Sequence, residues 1–329
     1  MIPPTSHSRA VLTLAAGPVV YWNMAINLAR SIRLWHSPED LPITIATDHD
    51  GPLPPDLADV SILKLKPGEL GKGFETKLHL DRLAPAPRTL FIDADCLIYA
   101  RLDDVFARFA GQPVAVVQER IASEGERFGD IASYCRILGV KAVPVFTGGL
   151  YYIERATAGP IYDDARRLLD HYDEYALVRL RGLPNEEVLM AGAMARENLW
   201  GIPDDGTIMG DFQRSPGEAT LKVLSGHRTM SNPPDTDKRH HCCFAPVGAS
   251  SPTVVHFLAY HTKLPPYRAD TVALALSAKG MPNWLANLIS RICILWPGSA
   301  ANRIKDTLRP VYHRAFGTRV VGPTDRTCA

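Results

Sequence analysis

Asp93 and Asp95 flank Ala94 directly after the apolar run 89–92 (TLFI). Side chains two apart on an extended chain point the same way, so the two carboxylates are expected to converge on one ligand. Carboxylates that close need an opposing charge, or one of them is driven to take up a proton. A hard divalent cation, Mn²⁺ or Mg²⁺, meets that need and can also bridge a diphosphate. An Asp-x-Asp triplet is common by chance. What singles this one out is its place behind a buried strand, after several strand–helix units.

The elements around it read as α/β. Residues 11–15, 43–47 (ITIAT), 60–65 (VSILKL) and 89–92 are apolar runs, and Tyr21, Met24, Ala25, Leu28, Ile32 and Trp35 recur at helical spacing between the first two. A short helix is expected over 75–83. Strands alternating with helices imply βαβ units and a mostly parallel, Rossmann-like sheet with both faces covered. Ligands bind such sheets at the carboxyl ends of the strands, which makes Asp48, Asp93 and Asp95 candidate site residues. Residues 119–133 read as a long polar loop or lid, 146–153 (FTGGLYYI) as a strand, and 158–171 and 186–197 as helices. The stretch 203–246, rich in Gly, Pro and Asp, reads as irregular. Residues 253–259 (TVVHFLA) read as the last strand, with helix beyond Pro266.

Composition bounds the function. The chain has 329 residues, 46% of them hydrophobic and 22% charged, with a formal net charge of +1. That is globular composition with no general pull toward nucleic acid. The six cysteines, Cys96, Cys135, Cys242, Cys243, Cys293 and Cys328, lack the dense spacing of a disulfide scaffold, so a reducing, cytoplasmic setting is expected. No apolar run approaches the ~20 residues needed to span a bilayer. Residues 10–16 (AVLTLAA) imitate a short signal core but run straight into an amphipathic helix, which favours a first strand.

Residues 88–100 (RTLFIDADCLIYA) resemble the metal-binding strand of GT-A-fold glycosyltransferases. Two further segments match in order. Residues 146–152 (FTGGLYY) resemble the F-N-S-G strand of glycogenin-like, family 8-type transferases, and residues 254–267 (VVHFLAYHTKLPPY) resemble their H-F-x-G-x-x-K-P-W motif. The resemblance implies a GT-A fold with a C-terminal helical appendage, and transfer of a sugar from a nucleoside-diphosphate sugar to a glycan, lipid-linked or protein acceptor, with retention of configuration. It makes His256 the third ligand of the metal beside Asp93 and Asp95, preferably Mn²⁺, and puts Ala94, Lys263 and His261 at the diphosphate. Leu14, Ala15 and Ala16 would meet the nucleotide, Tyr21 would stack on its base or pack in its helix, and Asp48 would meet base or ribose. Lys77 stands where the family carries a basic residue facing the nucleotide. Thr147, Gly148 and Gly149 would line the sugar pocket, with Thr-Gly-Gly in place of Asn-Ser-Gly. Residues 185–189 (NEEVL) resemble the D-Q-x-x-L segment, so Glu186 or Glu187 would face the sugar or its reacting carbon. Were the reaction inverting, Asp211 or Glu187 would be the base by elimination. The motif around His256 departs from the family's: its Gly is missing, the spacing to Lys263 is longer, and Pro265-Pro266-Tyr267 replaces Pro-Trp.

The resemblance spans residues 11 to about 268. A catalytic domain over 1–268 is expected, with a nucleotide-binding half to about 118 and an acceptor half after it, followed by a helical extension over 269–329. The rival reading is a haloacid-dehalogenase-type phosphatase, with Asp204 and Asp205 as its later acidic pair. That motif normally closes the first strand, whereas here it follows several units and is followed by Cys96. A sugar nucleotidyltransferase would carry a Gly-rich loop after the first strand, which 14–20 lacks. The run Lys238 to Cys243 (KRHHCC) has no zinc-finger spacing and reads as a surface loop. Trp284, Leu285, Leu288, Ile289, Ile292, Leu295 and Trp296 form a helical apolar face, followed by Arg303, Lys305, Arg309 and Arg314. That face is expected to dock on the core or a second copy, with peripheral contact on an anionic inner membrane face as the alternative.

Overall fold

The computed structural model describes residues 7–125, 128–214, 219–232, 246–258 and 260–317. In chain order, β1 (Arg9–Ala15), α1 (Val19–Arg33), β2 (Ile43–Thr47), β3 (Ser61–Lys64), α2 (Leu80–Leu83), β4 (Arg88–Ile92), β5 (Cys96–Ile98) and α3 (Asp103–Phe109) form the first half. A 3-10 stretch, Gly73–His79, leads into α2. The chain continues through β6 (Val114–Ala115), β7 (Val117–Ala122), α4 (Ile131–Leu138), β8 (Val143–Phe146), β9 (Leu150–Glu154), α5 (Gly159–Asp170) and α6 (Glu186–Arg196). Short strands follow: β10 (Ile202–Pro203), β11 (Met209–Asp211), β12 (Thr220–Lys222), β13 (His227–Asn232), β14 (Gly248–Ser250) and β15 (Val254–His256). Three helices close the chain: α7 (Pro265–Ala278), α8 (Asn283–Ser290) and α9 (Trp296–Phe316).

The central sheet has the order β3-β2-β1-β4-β9-β6. Its first four strands are parallel, and β9 runs antiparallel to both β4 and β6. Alternate residues serve two cores, as the strand period requires. Val11, Leu90 and Ile92 pack with α1 on one face, while Leu12 and Phe91 pack with α5 and α6 on the other. The strand order turns back between β1 and β4, the place where such sheets bind ligands at the carboxyl ends of their strands. A separate three-stranded sheet, β11-β15-β5, is joined to that end of β4 through the 93–95 turn.

Four expectations change. Residues 93–95 are a tight turn between β4 and β5, closed by the Cys96 N–H donating to the Asp93 carbonyl at 3.0 Å, so it is the turn, not strand alternation, that gathers the acids. The expected strand 146–153 is broken at Thr147, Gly148 and Gly149 into β8 and β9. The polar stretch 119–133 carries most of β7 and the start of α4. β7 is paired between β10 and β8, its Gln118 buried and accepting the Gly201 N–H at 3.1 Å, and α4 is capped by Asp130, which accepts the Ser133 N–H at 3.0 Å. The described part of 203–246 holds β11, β12 and β13. Residues 238–243 lie outside the described residues.

A charged cluster ties β1 to the end of α1 and the start of α3. Asp40 accepts from Arg9, Arg101 and His36 at 2.6, 2.8 and 2.6 Å. His36 is buried, and its Nε2 accepts the Leu102 N–H at 2.9 Å, so the ring is neutral with its proton on Nδ1. Burial lowers its pKa, partly opposed by Asp40. Below about pH 6.5 the unfolded chain therefore binds a proton that folded His36 resists, and stability must rise with pH across that range. Urea midpoints should climb from pH 5 to 7.5, and the climb should be smaller in His36→Asn. An unchanged slope in that variant would contradict this account.

Candidate functional site

Strand register assembles the acids and the histidine. In the small sheet, His256 is opposite Cys96 on β5 and level with Asp211 on β11, and the Phe257 N–H donates to the Asp95 carbonyl at 3.1 Å. The His256 ring is thereby carried to the Asp93–Asp95 turn. Its Nε2 lies 3.3 Å from Asp95 Oδ1 and 3.9 Å from Asp93 Oδ2. Its Nδ1 lies 2.9 Å from Asp211 Oδ1, and Asp211 is 2% exposed. An ionised carboxylate only accepts, so Nδ1 carries the donated proton. Nε2 then faces two carboxylates, which favour positive charge at that nitrogen, either a second proton on the ring or a cation among the three groups. Burial disfavours a charged ring, yet Asp95 and Asp211 outweigh it and raise the His256 pKa well above the ordinary range. A proton can fill that need; a divalent ion fits the same donor set, two oxygens and one imidazole nitrogen.

Cys96 Sγ also lies within 4.8 Å of the Asp95 and His256 ligand atoms. Burial and the neighbouring Asp95 push its thiol well up, and it points to the Gly149 carbonyl at 3.9 Å, so it stays protonated and is a poor ligand. The other group with ligand-like spacing, His36, Asp40 and Asp103, is already satisfied by Arg9 and Arg101.

Behind the acids lies Lys77, on the 3-10 stretch. Its Nζ donates to Asp93 Oδ2 at 2.6 Å and to the Gly148 carbonyl at 2.9 Å, and lies 3.3 Å from Glu186. Burial works against its charge, but Asp93 and Glu186 prevail and it remains protonated. Glu186, 2% exposed, is pushed up to about 7 by burial, against the pull of Lys77. Glu187 accepts the Gly148 N–H at 2.7 Å, and Asn185 caps α6 by accepting the Glu187 N–H at 3.0 Å.

The glycines are required by space. A Cβ on Gly149 would sit 2.8 Å from His256 Nδ1, and one on Gly148 would sit 2.5 Å from Glu186 Oε1. Gly149 further accepts the Asp93 N–H at 3.0 Å, locking this turn to the acid turn.

The sequence matches no protein-family model and no curated protein. Solved structures do match. Galactosyltransferase LgtC, crystallised with donor and acceptor sugar analogues, aligns over 83% of this chain and 96% of its own, with a TM-score of 0.50 and 11% identity. An active-site variant of LgtC aligns over 84% and 99%, at 0.51 and 13%. The chain has the GT-A fold.

The register of β1 on β4 sets Leu12 opposite Phe91, so Leu14, Ala15 and Ala16 lead to the same sheet edge as Asp93. Asp48 accepts the Gly17 N–H at 3.0 and 3.1 Å and so fixes the loop after β1. Tyr21 is half-buried against the core under α1. Ala94 is buried within the acid turn. Lys263 is exposed at the end of the turn His261–Lys263. His261 stands edge-on to Phe212 at 5.8 Å with a buried Nδ1 that lacks a hydrogen-bond partner. Thr147 Oγ1 donates to Asp211 Oδ2 at 3.0 Å and lies 3.1 Å from Glu119 Oε1. Asp204 and Asp205 turn instead to Gly206, Thr207 and Arg108.

Sequence reasoning missed Glu119, which it put in a loop, and the contact of Asp211 with His256. Asp211, named with Glu187 as the base of an inverting reaction, bonds to His256 and Thr147. A three-residue strand in a Gly- and Pro-rich stretch carries too little pattern to announce itself.

Replacing Gly149 with Ala should displace the His256 ring while leaving the fold standing. A ¹H–¹⁵N spectrum tuned to histidine side chains should show the His256 signals moved, with far-UV circular dichroism unchanged. Unmoved signals would mean that the ring has room to spare.

Proposed function

We propose that this chain is a metal-dependent glycosyltransferase that moves a sugar from a nucleoside-diphosphate sugar to a hydroxyl of a glycan, lipid-linked or protein acceptor. The observation carrying this reading is the convergence of Asp93, Asp95 and His256 Nε2 at the carboxyl end of β4, at the strand reversal of a GT-A fold. The phosphatase reading has no comparable support, since Asp204 and Asp205 are engaged with Arg108 and their own turn.

Asp93, Asp95 and His256 would hold the ion, and the imidazole favours Mn²⁺ over Mg²⁺. When bound, the ion neutralises the charge that develops on the departing nucleoside diphosphate. The chain's own groups do the rest. Asp211 fixes the tautomer and orientation of His256, the usual part of a carboxylate behind a ligating histidine. Lys77 sets a buried positive charge beneath Asp93 and Glu186, so both carboxylates can crowd the site. Gly148 and Gly149 bring backbone close enough to floor a sugar pocket beside Thr147. Leu14, Ala15, Ala16, Tyr21 and Asp48 belong to the nucleotide side, and Lys263 and His261 to the diphosphate side. The donor half is read as 1–118, the acceptor half as 119–268, and 269–329 as an extension.

Retention of configuration is the better reading. Both carboxylates considered for a base are engaged elsewhere: Asp211 with His256 and Thr147, and Glu187 with the Gly148 N–H. Proton NMR of the first-formed product should show the donor's anomeric configuration preserved, and an inverted product would reassign one of these acids as base.

A thermal-shift screen of nucleoside-diphosphate sugars should find one or more that raise the melting temperature only when Mn²⁺ is present. Asp95→Asn should lose that shift. In a direct Mn²⁺ titration, Asp211→Asn should weaken affinity by about 10- to 100-fold without unfolding the chain. A donor that stabilises Asp95→Asn as well as the unaltered chain would remove the basis of the assignment.

A further inference from the structure

The last two helices carry a feature that sugar transfer does not use. α8 packs on α7 through Ala286 and Ser290, with Leu285 and Ile289 half-buried, so only part of the expected apolar face docks on the core. Trp284, Leu288, Ile292 and Trp296, each four residues on from the last, stand out in solvent at 68, 43, 47 and 55% exposure. Residues Arg291–Leu295 between the two helices form a π-helical turn. Its wider turn counters the drift that an i+4 row makes around an α-helix, which keeps these four on one side.

α9 follows without a buried residue along its 21 positions. Ile304, Leu308, Val311, Tyr312 and Phe316 are 56 to 76% exposed. At 3.6 residues per turn they share an arc of about 140°. On the same wheel Arg309 borders one margin of that arc and Lys305 falls just inside it, while Arg303 and Arg314 stand about 60–80° beyond the other margin. Between 283 and 316 there are five basic residues and one acidic, Asp306, which pairs with Arg309 at the surface. The chain as a whole is close to neutral, so positive charge is concentrated here.

We propose that α8 and α9 form a docking surface for an anionic lipid bilayer, lying in the plane of the headgroups. An exposed apolar arc flanked by cations on both sides fits such an interface, where aromatic and aliphatic side chains enter the acyl boundary and Lys and Arg meet lipid phosphates. None of the described helices is long and apolar enough to cross a membrane, so the contact is peripheral. Pairing with a second copy would face two cation-flanked stripes against each other, which like-charge repulsion opposes. The surface also adjoins the candidate site. Gly298 packs against Pro265, where a Cβ would lie 2.5 Å from its Cγ, and Pro265 opens α7 two residues after Lys263. A bilayer under α9 would therefore lie near the rim that carries His261 and Lys263. The proposal does not depend on the transferase reading, because it concerns binding alone.

Vesicle sedimentation with the full chain tests it, using phosphatidylcholine alone and phosphatidylcholine mixed with phosphatidylglycerol. The chain should bind the mixed vesicles at least about tenfold more tightly than the neutral ones, and high salt should weaken that binding. Leu308→Asp combined with Tyr312→Asp should abolish it, and Gln at Arg303, Lys305, Arg309 and Arg314 should cut it by about tenfold or more. These side chains are exposed, so melting temperatures should be unchanged, which separates lost binding from misfolding. Absence of binding to anionic vesicles, or variants that bind like the unaltered chain, would overturn the proposal. So would a stable dimer in light scattering that Leu308→Asp breaks while vesicles are ignored.

Discussion

Asp211 accepts a hydrogen bond from His256 Nδ1, and Nε2 of the same ring faces two carboxylates less than 4 Å away. Left to themselves these groups repel, and in a space this buried water screens them little. Something positive must sit among or behind them. Lys77 meets part of that need from beneath, bonded to Asp93 and near Glu186. It does not touch the face where Nε2 and Asp95 meet. On that face the His256 ring meets the acids, and much of the surrounding architecture holds the three groups together.

No single element could do this. The acids belong to a turn, the histidine to a short strand 163 positions further on by residue number, and the lysine to a 3-10 stretch before β4. Antiparallel pairing of β5 with β15 and parallel pairing of β15 with β11 bring acid turn, ring and orienting carboxylate into line. The Gly148–Gly149 turn closes the remaining side, tied to the acid turn through the Asp93 N–H. A side chain at either glycine would occupy the volume of a ligand or of its neighbour. The glycines answer a demand for space, since neither has the positive φ that so many of the other glycines show.

That dependence on distant pairing explains what was legible in the sequence. The strands β1, β2, β3 and β4 announced themselves as apolar runs, and with them the parallel sheet and the edge where Asp93 lies. α1, α5 and α6 were legible from helical spacing. The motif of two acids and a histidine was readable because each residue follows a recognisable buried strand. Asp211 and Glu119 were not, because they stand on strands whose pattern is too short or too polar to read. β7 alternates weakly, with Glu119 and Arg120 both half-buried and Ile121 exposed, and β11 has three residues. Such strands exist because partners supply their hydrogen bonds, not because their own sequence demands extension. The acid turn was mistaken for a strand for a related reason: in both conformations the two carboxylates end on the same side.

The exit from β15 shows how firmly this arrangement is held. Leu258, two residues past His256, has φ 48, a left-handed conformation that costs a non-glycine residue roughly 1–2 kcal/mol. Phe257 just before it is wholly buried, stacked on Phe212 at 5.1 Å and edge-on to Tyr267 at 4.9 Å, while its N–H is bound to Asp95. The Leu258 carbonyl accepts the His261 N–H at 3.0 Å and starts the turn that carries Lys263. Leu258 is thus held by the buried stack of Phe257 before it and by the bond from the His261 N–H to its own carbonyl. Relaxing that residue alone would disturb either the stack or that bond. Strain of that size persists only where the surroundings over-determine the backbone. Here they are the contacts that hold His256 on one side and aim the Lys263 turn on the other, so the strained residue is the joint between the candidate metal ligand and the candidate phosphate contact.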